Sequence, residues 1–122
     1  MTPAGLVAVG LGAAVGAWCR WGLSALLNRL HPALPLGTLV ANVIGAFLMG
    51  AALGLLERQA WAPEWRLLAV TGFLGGLTTF SAFTGESLQL IHRGAYGWVV
   101  GHTAIHVLGT LAAALIGYRL AS

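Results

Sequence analysis

The residues that could do chemistry are few, and each is set inside an apolar run. Asn42 lies in TLVANVIGAF, and Thr38 precedes it by one turn on the same helix face. Arg20 interrupts GAAVGAWCRWGLS, and Glu86 closes GFLGGLTTFSAFTGES. A polar group in such surroundings needs a partner or a purpose. For Asn42 two readings stand: an interhelical hydrogen bond, or an amide N–H donor turned toward a polar path. Arg20 either snorkels to the end of its helix or gives a positive potential to an anion vestibule. Glu86 is expected to serve a vestibule or to hydrogen-bond between helices. His102 and His106 share a helix face at i, i+4 spacing. HTAIH lacks the glutamate of the HExxH zinc motif, and no cysteine or carboxylate lies close in sequence, so polar packing is the expected role. Thr110 is expected to bond back to its own helix or to face the polar path.

The segment Gly72–Phe83, GFLGGLTTFSAF, is unusual for its position. Gly72, Gly75 and Gly76 each weaken a helix by about 1 kcal/mol relative to alanine, and Thr78 and Thr79 add β-branched strain. A break here would strip backbone carbonyls of their helical donors, which is tolerable at membrane depth only against protein, water or an ion. Two half-helices meeting at a break also aim their dipoles at one point. The alternative is a glycine groove for close helix packing. Phe80 and Phe83, three residues apart, share a face on a resumed helix. Packing is the default for such a pair, yet the positive edge of an aromatic ring can also solvate a small anion. Ser81 adds a hydroxyl beside them.

The elements that carry these residues follow from composition. The chain has 122 residues, of which 58% are hydrophobic and 7% charged, with mean hydropathy +0.86. A water-soluble domain has about a quarter charged residues, so this is a membrane protein. Four runs suffice to cross a bilayer at about 20 residues each: residues 4–27, 36–56, 65–91 and 98–120. The expected fold is a single all-α, four-span membrane domain, with the third helix broken near its middle. The N-terminal run lacks the basic start of a signal peptide and reads as a retained first span. All connections are short, leaving no soluble part for an enzyme site. The net charge of +3 is too sparse for nucleic acid, and a lone Cys19 closes no disulfide within the chain.

Small residues recur at four-residue spacing in Gly12/Gly16, Gly50/Gly54 and Gly109/Ala113/Gly117, as close helix contact in lipid requires. Trp61, Trp65, Tyr96, Trp98 and Tyr118 fall at span ends, where amphipathic rings favour the headgroup level. With an even number of spans, Arg58, Arg66 and Arg119 share one side of the membrane. Arg29 and Arg93, with Arg20 if it snorkels, share the other. Orientation follows such an imbalance, and here it nearly vanishes. Either the chain inserts both ways up, or a few charges and folding select one orientation.

GAAVGAWCRWGLS, GTLVANVIGAFLMG and GFLGGLTTFSAFTGES together resemble the Fluc/CrcB family of fluoride channels along nearly the whole chain. The resemblance implies a dual-topology homodimer, two antiparallel chains enclosing two fluoride pores, in the inner membrane of a bacterial-type cell. It implies that Asn42, Phe80, Phe83 and Ser81 line the pore, with Thr38 on the same track, and that Arg20 serves the vestibule. It also implies a structural, untransported sodium ion held at the dimer centre by main-chain carbonyls of Gly75 and Thr78, both leaving the helical ladder. Ala82 stands where the family often has threonine, so it receives no role. Two other classes compete: a four-span proton-coupled multidrug-type antiporter, and a non-conducting assembly subunit. The antiporter needs a glutamate in its first span, where this chain carries only Arg20. The subunit leaves GGLTTFSAF unexplained.

Overall fold

Proline and small residues punctuate the chain. In the computed structural model, which describes residues 1–122, α1 spans Pro3–Leu27 and starts where Thr2 Oγ1 accepts the Gly5 N–H at 2.9 Å, a side-chain N-cap. A short 3-10 turn, Asn28–Leu30, leads through the prolines to α2, Leu36–Arg58. The third span is assembled from pieces. After α3, Pro63–Arg66, the helix widens into a π-helical stretch, Leu67–Leu74, then tightens into α4, Gly75–Leu77. Beyond the break come α5, Phe80–His92, and α6, Tyr96–Ala121. Four stretches are long and apolar enough to cross a membrane: Pro3–Leu30, Leu36–Arg58, Pro63–His92 and Tyr96–Ala121. The break in the third span is present.

Helices pair where glycine lets backbones touch. α1 crosses the first half of the third span: a Cβ at Gly12 would overlap the Leu68 carbonyl, and one at Gly16 the Phe73 carbonyl. From the other side, Gly72 faces Val9 and Gly76 faces Ala13. α2 crosses α6 in the same way, with Gly50 on Ala114, Gly54 on Tyr118 and Gly117 on Phe47. Gly109 is looser, its nearest neighbour Val43 being at 3.7 Å. Such contact replaces the hydrophobic drive that lipid removes. The buried apolar interior is accordingly small, a cluster of Ala41, Leu74 and Leu77 with Ala52 and Leu90 buried apart from it, while Leu11, Trp21, Val100 and Leu111 face outward.

Charged groups tie the ends. Arg58 Nη1 donates to the Ala121 carbonyl at 3.3 Å and Tyr118 donates to Glu57 at 2.6 Å. At the opposite end Arg93 Nη1 donates to the Pro32 carbonyl at 3.3 Å. α5 ends on Gly94 at φ 72°. There the Gly94 N–H reaches the Ile91 carbonyl and the Ala95 N–H the Leu90 carbonyl, the left-handed closure that glycine accepts without strain. This turn folds α6 back along α5.

The break differs in position from the sequence expectation. Thr78 (φ −87°, ψ 153°) and Thr79 (φ −149°, ψ 122°) are extended, whereas Gly75 keeps helical dihedrals (φ −62°, ψ −37°). Gly75 therefore stays in the helix. Gly72 and Gly76 are used for contact with α1, so these helix-weakening residues serve packing while the rupture itself falls at Thr78 and Thr79.

Candidate functional site: the break and its groove

In an unbroken helix the Thr79 N–H would bond the Gly75 carbonyl. Here it goes to Asn42 Oδ1 at 2.7 Å, and Asn42 Nδ2 donates to the Thr79 carbonyl at 3.0 Å. One amide thus satisfies both backbone groups of the residue that leaves the ladder. Thr79 also caps α5, its Oγ1 accepting the Ala82 N–H at 3.0 Å. Thr78 Oγ1 bonds back to the Leu74 carbonyl at 2.8 Å. Arg20 Nε donates to the Gly76 carbonyl at 3.1 Å, placing a cation where the helical run 63–77 ends and its dipole is negative. The Gly75 carbonyl has lost its usual donor to Asn42, and the Thr78 carbonyl belongs to an extended residue.

A groove of about 370 Å³ opens beside the break, lined by Asn42, Thr78, Thr79, Phe80, Phe83 and His106 among others. Its two phenylalanines differ. Phe83 lies flat on His102, with ring centres 4.7 Å apart and planes 10° apart, and tilts against His106 at 4.9 Å. Phe80, 5.6 Å from Phe83, is 79% exposed. Asn42 is buried, and its second N–H points at His106 Nδ1, 3.3 Å away. Both readings of Asn42 therefore meet in one residue: it bonds between helices, and it lines the groove.

The other expected residues separate. Thr38 is buried and donates to Glu86 Oε2 at 2.5 Å instead of facing the groove. Ser81 is exposed, with its hydroxyl 3.3 Å from Thr79 Oγ1. Thr110 Oγ1 bonds its own helix at His106, 2.6 Å away, and also lines the groove. Glu86 bonds between helices, as expected. Its Oε1 lies 3.1 Å from His102 Nε2, while His102 Nδ1 lies 3.0 Å from Ser87 Oγ. His102, fully buried, is the residue the sequence undervalued, because its carboxylate partner is not close in sequence but lies on the neighbouring helix. A signal was available. Glu86 and His102 are equidistant from Gly94, the residue at which the α5–α6 hairpin turns.

Comparison with known proteins adds the family. The family described as CrcB-like protein, camphor resistance (CrcB), matches residues 7–118. A protein of Cupriavidus pinatubonensis named fluoride-specific ion channel FluC is 56% identical over 98% of both chains. A protein of the same name from Aromatoleum aromaticum is 53% identical over 92% of this chain and 86% of its own. Another from Pseudomonas putida is 53% identical over 87% and 84%.

Proposed function

Because the chain belongs to the CrcB-like family, we infer that it is a fluoride-specific ion channel, not an enzyme, crossing a bacterial membrane several times. The observation that carries this is the 56% identity, over 98% of both chains, with a relative so named. The physiological rationale is chemical. HF crosses a bilayer uncharged and ionises in the less acidic cytoplasm, so a passive path for the anion lowers internal fluoride.

The groove beside the break is the proposed path. Phe80 and Phe83 turn ring edges toward the ion, and an edge attracts an anion without holding it as a full charge would. Asn42 fixes the backbone of Thr79 beside the path, and the hydroxyls of Ser81 and Thr110 offer further weak donors. Arg20 raises the potential at the approach. A sequence of weak donors suits conduction, which needs binding that is favourable yet easily reversed. In one chain the groove is open and Phe80 is exposed. A second copy, inserted antiparallel, closes it and gives two paths per dimer, in keeping with the balanced arginines.

Sodium fits the break as a structural ion. The Gly75 carbonyl lacks its usual donor because the Thr79 N–H is taken by Asn42, and hard cations take oxygen ligands. Carbonyls of Gly75 and Thr78 from both chains would hold it, and when bound it supplies positive charge at the centre of the dimer.

Liposomes containing only this protein test the function. Fluoride efflux well above that of protein-free liposomes, with chloride retained, is expected. Efflux no faster than the protein-free rate would overturn the reading. Equal passage of chloride would overturn its specificity.

A further inference from the structure

We propose that Glu86, His102 and His106 form a binding site for a divalent transition-metal ion, with zinc as the reference occupant, and that filling it blocks conduction. The binding half stands on geometry alone, while the blocking half rests on the channel reading above.

The three side chains place their ligand atoms within 4.8 Å of one another. Tetrahedral zinc with bonds of about 2.1 Å sets its donors about 3.4 Å apart, so an inward turn of the side chains closes the set. Two imidazoles and one carboxylate suit zinc or its neighbours better than sodium, calcium or magnesium, which take oxygen. His102 is fully buried and His106 is 5% exposed, so the site is a packed interior one.

Its outer contacts are already those of a ligand set. A metal-bound imidazole donates through its other nitrogen, and a bound carboxylate is itself hydrogen-bonded. Ser87 Oγ stands 3.0 Å from His102 Nδ1, and the Thr38 hydroxyl holds Glu86 Oε2 at 2.5 Å. This leaves His102 Nε2 and Glu86 Oε1, 3.1 Å apart, for the ion. His106 supplies the independent indication: its Nε2 is the one buried side-chain polar atom with no hydrogen-bond partner.

The block follows from the protons. An amide nitrogen only donates, so Asn42 Nδ2 beside His106 Nδ1 places the empty site's His106 proton on Nε2. Coordination through Nε2 moves that proton to Nδ1, where it faces the Asn42 donor. At His102 the same shift is absorbed by Ser87, whose hydroxyl can donate or accept. Asn42 has no such freedom and must turn. Because Asn42 holds both backbone groups of Thr79, metal occupancy reaches the break and, through the His102 and His106 rings that contact Phe83, the groove.

The test uses the full-length chain carrying Cys19→Ser, stripped with EDTA, because Cys19 is exposed and could bind metal itself. Titration with cobalt(II), followed by zinc competition, should show one ion per chain and visible bands typical of nitrogen ligation. Glu86→Gln and His102→Gln should each weaken binding at least about tenfold, whereas His92→Gln, an exposed control, should not. Zinc K-edge absorption on wild-type side chains at these positions needs no ligand variant and should report two imidazoles. In liposomes, zinc should slow fluoride efflux about tenfold or more, reversibly with EDTA. Absence of saturable cobalt binding, unchanged affinity in both ligand variants, or loss of binding in His92→Gln would overturn the site. Binding without any change in efflux would overturn the block. An EDTA-treated protein that passes no fluoride would instead overturn the channel reading, leaving the metal titration to stand or fall by itself.

Discussion

The two halves of the third span are held by opposite means. Before the break, residues 63–77 lie against α1 with glycine facing backbone at Gly12, Gly16, Gly72 and Gly76. After it, α5 is fastened by polar side chains: Asn42 on Thr79, Thr38 and His102 on Glu86, and Ser87 on His102. The first half is a fixed wall that tolerates no added atom at those four glycines. The second presents its rings to a groove and depends on a few directional bonds. Close backbone contact gives rigidity without chemistry, whereas hydrogen bonds hold a helix while keeping polar atoms beside the path.

Substitutions should separate the halves, and the largest effect belongs to the wall. Gly16→Leu places its Cβ into the Phe73 carbonyl and 2.7 Å from the Leu77 N–H. No folded protein is expected on size-exclusion chromatography in detergent. Gly22→Ala, with nothing within 4 Å, should behave as wild type. A folded Gly16→Leu would show that the two helices do not meet as described.

On the other side of the break, Asn42→Asp removes both N–H donors and strands the Thr79 carbonyl. Each buried group left unpaired costs about 1–3 kcal/mol, and an ionised aspartate would repel the anion. Folded protein with fluoride efflux at the protein-free rate is expected from liposomes. Normal conduction would remove Asn42 from the path.

Next come the rings. Phe80→Ile and Phe83→Ile should both cut efflux severely, since an aliphatic side chain has no positive edge. Only Phe83→Ile should also lower thermal stability, because Phe83 is stacked on His102 whereas Phe80 is exposed. Wild-type efflux from both would assign the rings to packing.

The smallest effect tests the border between the halves. A Cβ at Gly75 would meet only the Val70 carbonyl, at 4.0 Å, so Gly75→Ala should leave the single chain's fold intact. Any loss should appear in dimer stability or sodium dependence, measured by subunit exchange in sodium against N-methylglucamine. Thr78→Ser, which keeps the main-chain carbonyl, should be mild in the same assay. A Gly75→Ala chain that fails to fold would mean that its own helices, and no second copy, occupy that space.

Hydropathy made the four helices legible, since a run of about 20 apolar residues matches the thickness of a bilayer and little else. The existence of a break was legible in GGLTTF, but its place was not. Glycine only lowers the resistance to breaking. The rupture occurs where Asn42 can replace the lost backbone partners, one residue beyond Thr78, and that depends on how α2 lies. Gly72 and Gly76 met a different demand, contact with α1. The π-helical turn over Leu67–Leu74 left no mark in LLAVTGFL, which reads as ordinary helix. Asn42, Phe80 and Phe83 were found because their side chains are anomalous or paired within one segment. The link from Glu86 to His102 spans a turn, and finding it requires counting outward from Gly94.

That turn also governs which lengths of chain the protein can accept. Each residue of an α-helix advances it by about 100° of rotation. Inserting or deleting one residue between His92 and Tyr96 would undo the glycine closure or shift where α6 begins, and a register shift within α6 turns everything after it by that angle. His102 and His106 would leave the face that meets Glu86, Ser87 and Phe83, and Gly117 would leave Phe47. A surface loop usually absorbs length changes cheaply. Here the loop works as a gear tooth, and among related sequences its length should vary less than its composition.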